Sequence, residues 1–263
     1  MSPEQIYVIS FPKSGRTWLR VLLSRYKQNI LGLDTFELML HSAEGEDENG
    51  GPPFIFTHAK SDPKKKPKSI QLLFDKIRRR NPAIFSDIEI APYEVSKIVY
   101  LVRDPRDVLV SHYWELTRRS KLYKGSLSEF VRDPDFGIER IVKFMNLISE
   151  RLDTTDHILL FYEDLQTDPY QEFARVLAFS GMEIDEKALQ ESIEFSRFSN
   201  MRKIEKQGKF GRKLSPKDQN DPKSFKVRKG KVGSFREEMR KEDIEFVNDV
   251  LKKKLTQSFI RYR

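Results

Sequence analysis

The stretch that most limits what this chain can fold into is Ile6 to Leu23, IYVISFPKSGRTWLRVLL. Ile6, Tyr7, Val8 and Ile9 form a short apolar, β-rich run of the kind a sheet buries on both faces. Pro12, Ser14 and Gly15 break it, and Leu19, Val21, Leu22 and Leu23 then give a helix its apolar side, with Thr17 near the first turn. Between strand and helix lie Lys13, Ser14, Gly15, Arg16 and Thr17: a lysine, hydroxyls and closely spaced backbone N–H groups. A strand that feeds a helix through such a loop makes an anion site. The first N–H groups of the helix have no intrahelical acceptor, and the helix dipole favours negative charge. The spacing is not that of the loop G-x-x-x-x-G-K-[ST]. Here the lysine precedes the glycine, and no earlier glycine stands at the strand end.

Composition narrows the class. A chain of 263 residues holds one large α/β domain or two small ones and can bury a substantial core. No apolar run approaches membrane-spanning length, and the first strand begins almost at Met1, leaving no room for a signal peptide. The absence of cysteine excludes disulfides, a thiol nucleophile and cysteine-ligated metals, and fits the expectation of a cytoplasmic protein. A formal net charge of +8 suits an anionic ligand, an acidic substrate or nucleic acid, although excess lysine also serves solubility alone.

Three further strands are expected, each with a polar end. Pro53 to Phe56 leads into Thr57 and His58, at the carboxyl end where open α/β sheets gather functional residues. By position alone, a lone histidine after an aromatic strand more often packs than reacts. Lys97 to Asp104, KIVYLVRD, is a continuous apolar run that closes on Arg103, and Pro105 opens a helix carrying Ser111. Asp156 to Asp164, DHILLFYED, is another strand with a polar end, with Tyr162 at that end and His157 before the strand. Helical spacing covers Phe136–Leu152, Tyr170–Gly181, Asp185–Phe195 and Lys241–Phe259. Asp34–Gly51 reads as an acidic mobile loop, Lys60–Arg80 as a basic run, and Arg202–Lys231 as a segment too polar to fold by itself. His112 is expected to pack.

PKSGRTW resembles the PKSGTTW loop that binds the 5′-phosphosulfate in sulfotransferases using 3′-phosphoadenosine 5′-phosphosulfate (PAPS). The run from Val102 to Tyr113 resembles that family's second signature, V-x-R-[ND]-x-[RK]-D-x-x-V-S-x-Y. Val102, Arg103, Asp104, Arg106, Asp107, Val110, Ser111 and Tyr113 all fall in register. LFYEDL, Ser196 to Met201, and Arg228-Lys229-Gly230 with Gly233 are similar to later family segments, in the family's order. The resemblance implies a single α/β domain over 1–263, a central parallel sheet flanked by helices with P-loop-like nucleotide-binding architecture. It implies Lys13, Ser14, Gly15, Arg16 and Thr17 at the 5′ group, and Arg103, Ser111, Arg228, Lys229 and Gly230 at the 3′-phosphate. Trp18, Tyr162, Ser196 and Phe198 fall at the adenine, with no metal.

Four departures stand out. Arg16 replaces a threonine, Phe56 stands where many members have the lysine of Lys-Thr-His, Ser234 and Phe235 replace Asp and Trp, and Arg240 and Lys241 replace the Thr-Val of the family's dimerisation motif. The implied chemistry is sulfuryl transfer to a hydroxyl or amine of a small-molecule or glycan acceptor, polar or anionic by the basic character of the loops. His58 would be the general base, and Lys13 would neutralise the leaving phosphate. A P-loop kinase and a basic nucleic-acid-binding module are the alternatives. Against the kinase, Lys13 stands on the wrong side of Gly15; the nucleic-acid module gives no reason for both signatures to occur together, and no nucleic-acid partner is expected. The oligomeric state is open.

Overall fold

A computed structural model of the protein describes residues 5–38, 51–57, 97–211 and 215–263. His58, most of the acidic loop and the basic run Lys60–Arg80 lie outside the described residues.

The four described strands are β1 (Ile6–Ile9), β2 (Phe54–Thr57), β3 (Lys97–Val102) and β4 (His157–Phe161). They form one parallel sheet in the order β2-β1-β3-β4. Register pairs Ile9 with both Thr57 and Tyr100, and Val102 with Phe161. The carboxyl ends therefore share one edge. The order reverses between β1 and β3, and the crevice beyond that reversal is where open α/β sheets bind ligands.

Both sheet faces are covered, as the continuous apolar runs require. Ile6, Val8, Val99 and Leu101 face a layer made by α1 (Arg16–Ile30), α6 (Pro169–Phe179) and α7 (Glu186–Phe195). Ile9, Ile98, Tyr100 and Val102 face α2 (Pro105–Trp114), α4 (Ile138–Ser149) and α9 (Lys241–Lys254). The period of two along β1 and β3 sorts the side chains between the layers. Short helices α3 (Leu127–Arg132), α5 (Tyr162–Thr167) and α8 (Phe198–Lys206) complete the frame. No described helix is long and apolar enough to cross a membrane.

Local chemistry fixes the boundaries. Asp104 caps α2 by accepting from the Arg106 N–H at 2.9 Å, with Pro105 in the first turn. Asp168 and Asp185 cap α6 and α7 in the same way. Gly181, at φ 72°, lies just past the end of α6.

Three expectations need correction. The last helix ends at Lys254 rather than Phe259, because Asn146 of α4 takes over its end: the Asn146 amide donates to the Lys254 carbonyl at 2.8 Å and accepts from the Thr256 N–H at 3.0 Å. Arg202 to Lys206 is helical, part of α8, whose Met201 and Ile204 are buried beside Val21. His157 lies within β4 rather than before it.

Candidate active site

The loop after β1 crosses the crevice in an unusual backbone conformation. Lys13 has φ 77° and Gly15 has φ 106°, both left-handed. At Gly15 a Cβ would lie 2.5 Å from the Tyr162 ring, so only glycine lets this loop pass under the start of α5. Trp18 is the first residue of α1 whose N–H returns to the Gly15 carbonyl, at 2.8 Å. The turn before it presents the N–H groups that a helix leaves for an anion.

These residues form one wall of a cleft of about 660 Å³. Lys13, Gly15, Arg16, Thr17 and Trp18 line it, and Arg103 and Ser111 enter from the end of β3 and from α2. Tyr162 comes from the start of α5 and Ser196 from the end of α7. Phe198, at the start of α8, lines it with Arg228, Lys229 and Gly230. Thus residues spread from position 13 to position 230 converge. Ser14 is the exception: it is buried and does not line the cleft.

One end is aromatic. The Trp18 indole N–H donates to Ser196 Oγ at 3.1 Å, and its ring meets Tyr162 edge-on at 5.6 Å. Phe198 lies over Gly230, which at φ 61° has no room for a Cβ beneath that ring. Nearby, Arg103 stacks 4.2 Å above the Tyr162 ring and donates to the Lys13 carbonyl at 3.3 Å. Arg106, by contrast, is spent on Asp104 at 2.7 Å and on Asn248 at 3.0 Å. Asp107, buried in α2, accepts from the Gly233 N–H at 2.8 Å, Ser234 Oγ at 3.1 Å and the Phe235 N–H at 3.0 Å. It ties the 228–235 segment to α2. Arg228 pairs with Glu238 at 2.5 Å, and Lys229 reaches Glu238 at 2.9 Å and Glu237 at 3.1 Å.

The other end holds an ionic cluster that sequence reasoning missed. After α2 the chain continues as a π-helical turn, Glu115–Arg119. Glu115 accepts from Lys13 Nζ at 2.8 Å, lies 3.5 Å from Lys226 Nζ, and meets Arg119 at 3.3 Å. Arg119 also lies 3.7 Å from Glu205, which is fully buried. Burial acts to raise the Glu115 carboxyl, but Lys13, Lys226 and Arg119 hold it well below the usual carboxylate range. Burial pushes Lys13 down, only partly offset by Glu115. Lys226 falls to about 7 through burial, then Lys13. Arg16 is pushed down to about 9 by burial and by Arg20. Lys13, Arg119 and Lys226 thus share the two carboxylates Glu115 and Glu205. Arg16 adds its charge near Lys226, and the cleft lining carries more cations than carboxylates, which favours a polyanion. No spacing signal pointed to Glu115 or Lys226. Only the fold brings them to Lys13.

The remaining wall is largely apolar, with Phe11, Leu116, Leu122 and Phe136 beside Ser120 and Arg140. His112 packs edge-on against Phe11 at 5.6 Å and Phe130 at 5.7 Å, as expected, yet also reaches the cleft. Among the described residues no group of three or more metal-ligating side chains occurs.

Residues 94–259 match the sulfotransferase domain. The chain belongs to the sulfotransferase domain family. The match takes in Arg103, Ser111, Tyr162 and Arg228–Gly230, and begins after the Lys13 loop. This sulfotransferase is 22% identical to human sulfotransferase 1C2, over 99% of its own length and 86% of the relative's. It is 25% identical to cytosolic sulfotransferase 10 of Arabidopsis thaliana, over 98% and 80%. Its fold is shared with mouse sulfotransferase SULT7A1 complexed with PAP, at TM-score 0.64, 16% identity and coverage of 98% and 86%. Retinol dehydratase in complex with retinol and PAP gives TM-score 0.62, 20% identity and coverage of 100% and 84%.

Proposed function

We propose that this sulfotransferase, acting as one domain over 1–263, transfers the sulfuryl group of PAPS to a hydroxyl or amine of a small-molecule or glycan acceptor. The observation that carries the reading is the convergence of the loops after β1 and β3 with the 228–230 segment around one cleft with a surplus of cations. PAPS carries two anionic groups, the 5′-phosphosulfate and the 3′-phosphate, on one ribose whose C1′ bears a flat base. The cleft offers cations at both ends and an aromatic group of Trp18, Tyr162 and Phe198. The family relatives bound to PAP, the desulfated product, support the same donor.

In this reading the start of α1, Lys13 and Arg16 take the 5′ group. Arg103, Ser111, Arg228, Lys229 and Gly230 take the 3′-phosphate, where a planar guanidinium grips two oxygens at once. Lys13 then neutralises charge on the departing phosphate oxygen. His58 directly follows Thr57, which pairs with Ile9 at the carboxyl edge of the sheet, and it accepts the acceptor's proton. The wall of Phe11, Leu116, Leu122 and Phe136 suits an acceptor with an apolar body, and Ser120 and Arg140 suit a polar or anionic end.

The test is calorimetric titration of 3′-phosphoadenosine 5′-phosphate (PAP) beside AMP, which lacks the 3′-phosphate, in magnesium-free buffer. PAP binds and AMP binds much more weakly if the reading holds. A protein that binds neither is not using this donor. Once an acceptor is in hand, His58→Ala lowers turnover at saturating substrates by about two to four orders of magnitude. Near-normal turnover would remove His58 as the base.

A further inference from the structure

We propose that Lys226 is a second cation of the reacting-group subsite, acting beside Lys13 on the oxygen that leaves with the nucleotide, and that Glu115 holds both ammonium groups there until an anion arrives. The inference rests on the sulfuryl-transfer reading above.

Two ammonium groups from distant parts of the chain approach the same atom. Lys13 Nζ lies 2.8 Å and Lys226 Nζ 3.5 Å from Glu115 Oε2, and all three residues line the cleft. That carboxylate oxygen marks a point where one anionic oxygen is served by two cations. The position is built rather than accidental. The Lys226 N–H donates to Glu205 Oε1 at 2.5 Å and the Val227 N–H to Glu205 Oε2 at 2.8 Å. Arg119 donates to the Ser224 carbonyl at 2.6 Å, and Phe225 lies under the Arg202 guanidinium at 3.3 Å. A fully buried carboxylate therefore pins the backbone that carries Lys226. Two residues further on, Arg228 reaches the opposite anion site, so one short segment serves both anionic groups of the donor.

In the transfer, the acceptor oxygen or nitrogen forms a bond to sulfur while the bond from sulfur to the 5′-phosphate oxygen breaks. The electron pair stays on that phosphate oxygen, and the acceptor's proton goes to His58. A dianion develops where Glu115 Oε2 marks the double-cation point, and both ammonium groups remain protonated to meet it. Without an anion, Lys226 faces Lys13 from the β1 loop, Arg16 from α1, and Glu115 and Arg119 from the π turn. More cations than carboxylates surround it, and its proton is held weakly. Donor or product binding reverses that balance, so at pH above neutrality binding draws in a proton.

The experiment is PAP titration at pH 8 in two buffers of different ionisation enthalpy, with wild type, Lys226→Met and Lys226→Arg. Wild type takes up about one proton more per PAP bound than either variant, since methionine holds no charge and arginine is already protonated. At pH 6.5 Lys226→Met binds PAP about tenfold more weakly and Lys226→Arg within about threefold of wild type. Glu115→Gln, lacking the competing carboxylate, binds PAP more tightly at pH 6.5. Proton uptake unchanged in both lysine variants, or undiminished affinity in Lys226→Met, overturns the role of Lys226. Weaker binding by Glu115→Gln overturns displacement of Glu115. Failure of wild type to bind PAP overturns the donor reading itself. Should Lys226→Met fail to fold, the arginine variant still decides through its proton count.

Discussion

Gly15 and Gly230 look alike on paper, since both have positive φ and both sit beneath an aromatic ring, but they differ in what the ring can do. At Gly15 an added methyl would meet Tyr162, which is buried and pinned between Trp18 and Arg103. At Gly230 it would meet Phe198, which is 40% exposed and can swing outward. Gly15→Ala is therefore expected to cost both fold and site, about 2–4 kcal/mol of stability together with loss of PAP binding. Gly230→Ala should cost about 1 kcal/mol, chiefly the left-handed backbone, while weakening PAP binding at least as much through the displaced Phe198. Chemical denaturation and calorimetry on the two variants check this. Equal stability losses would show that Phe198 is no freer than Tyr162. Gly15 was readable from sequence because a tight loop at a strand end has few chemical solutions, whereas Gly230 was singled out only by the family resemblance. Their neighbours Tyr162 and Phe198 came only from the family resemblance, since no local pattern tells a stacking tyrosine from a packing one.

Among elements, α2 does more than its sequence announces. Its start was legible from Asp104-Pro105, a capping acid and a proline in the first turn. Its middle hides Asp107, whose carboxylate gathers the Gly233 N–H, Ser234 hydroxyl and Phe235 N–H and leaves Arg103 3.6 Å away. Its far end runs on into the π turn that aims Glu115 and Arg119 at the cleft. Neither contact could be read from spacing, because each partner lies more than 80 residues away along the chain or depends on one extra residue in a helical turn. Asp107→Ala would strand two backbone N–H groups and free the segment that carries Arg228 to Gly230. We expect a loss of about 3 kcal/mol in denaturant unfolding and a PAP affinity that falls toward that of AMP. If the variant still prefers PAP over AMP as strongly as wild type does, the 228–230 segment is held by something other than α2.

For the molecule as a whole, the sheet and both helical layers were foreseeable because a buried parallel sheet writes itself as apolar runs with polar ends. The charge economy was not, since +8 says nothing of where the cations meet. That meeting sets the pH behaviour. Lys226 is pushed down to about 7 in the fold, against an ordinary lysine value of about 10.4 in the unfolded chain. Between those values the unfolded state binds more protons than the folded one, so ligand-free stability rises with pH from about 7 upward. Lys13, also lowered, adds in the same direction. Because the Lys226 side chain keeps 26% of its exposure, its share between pH 7 and 9 is only about 1 kcal/mol. Lys226→Met should flatten that slope, as followed by urea midpoints across the range. Saturating PAP acts the other way. The bound anion favours protonated Lys226, so the stability that ligand adds shrinks as pH climbs past 7. Above pH 7 one proton thus separates a neutral Lys226 without ligand from a charged one with it. A ligand increment that stays constant from pH 7 to 9 would mean that the bound anion never reaches Lys226.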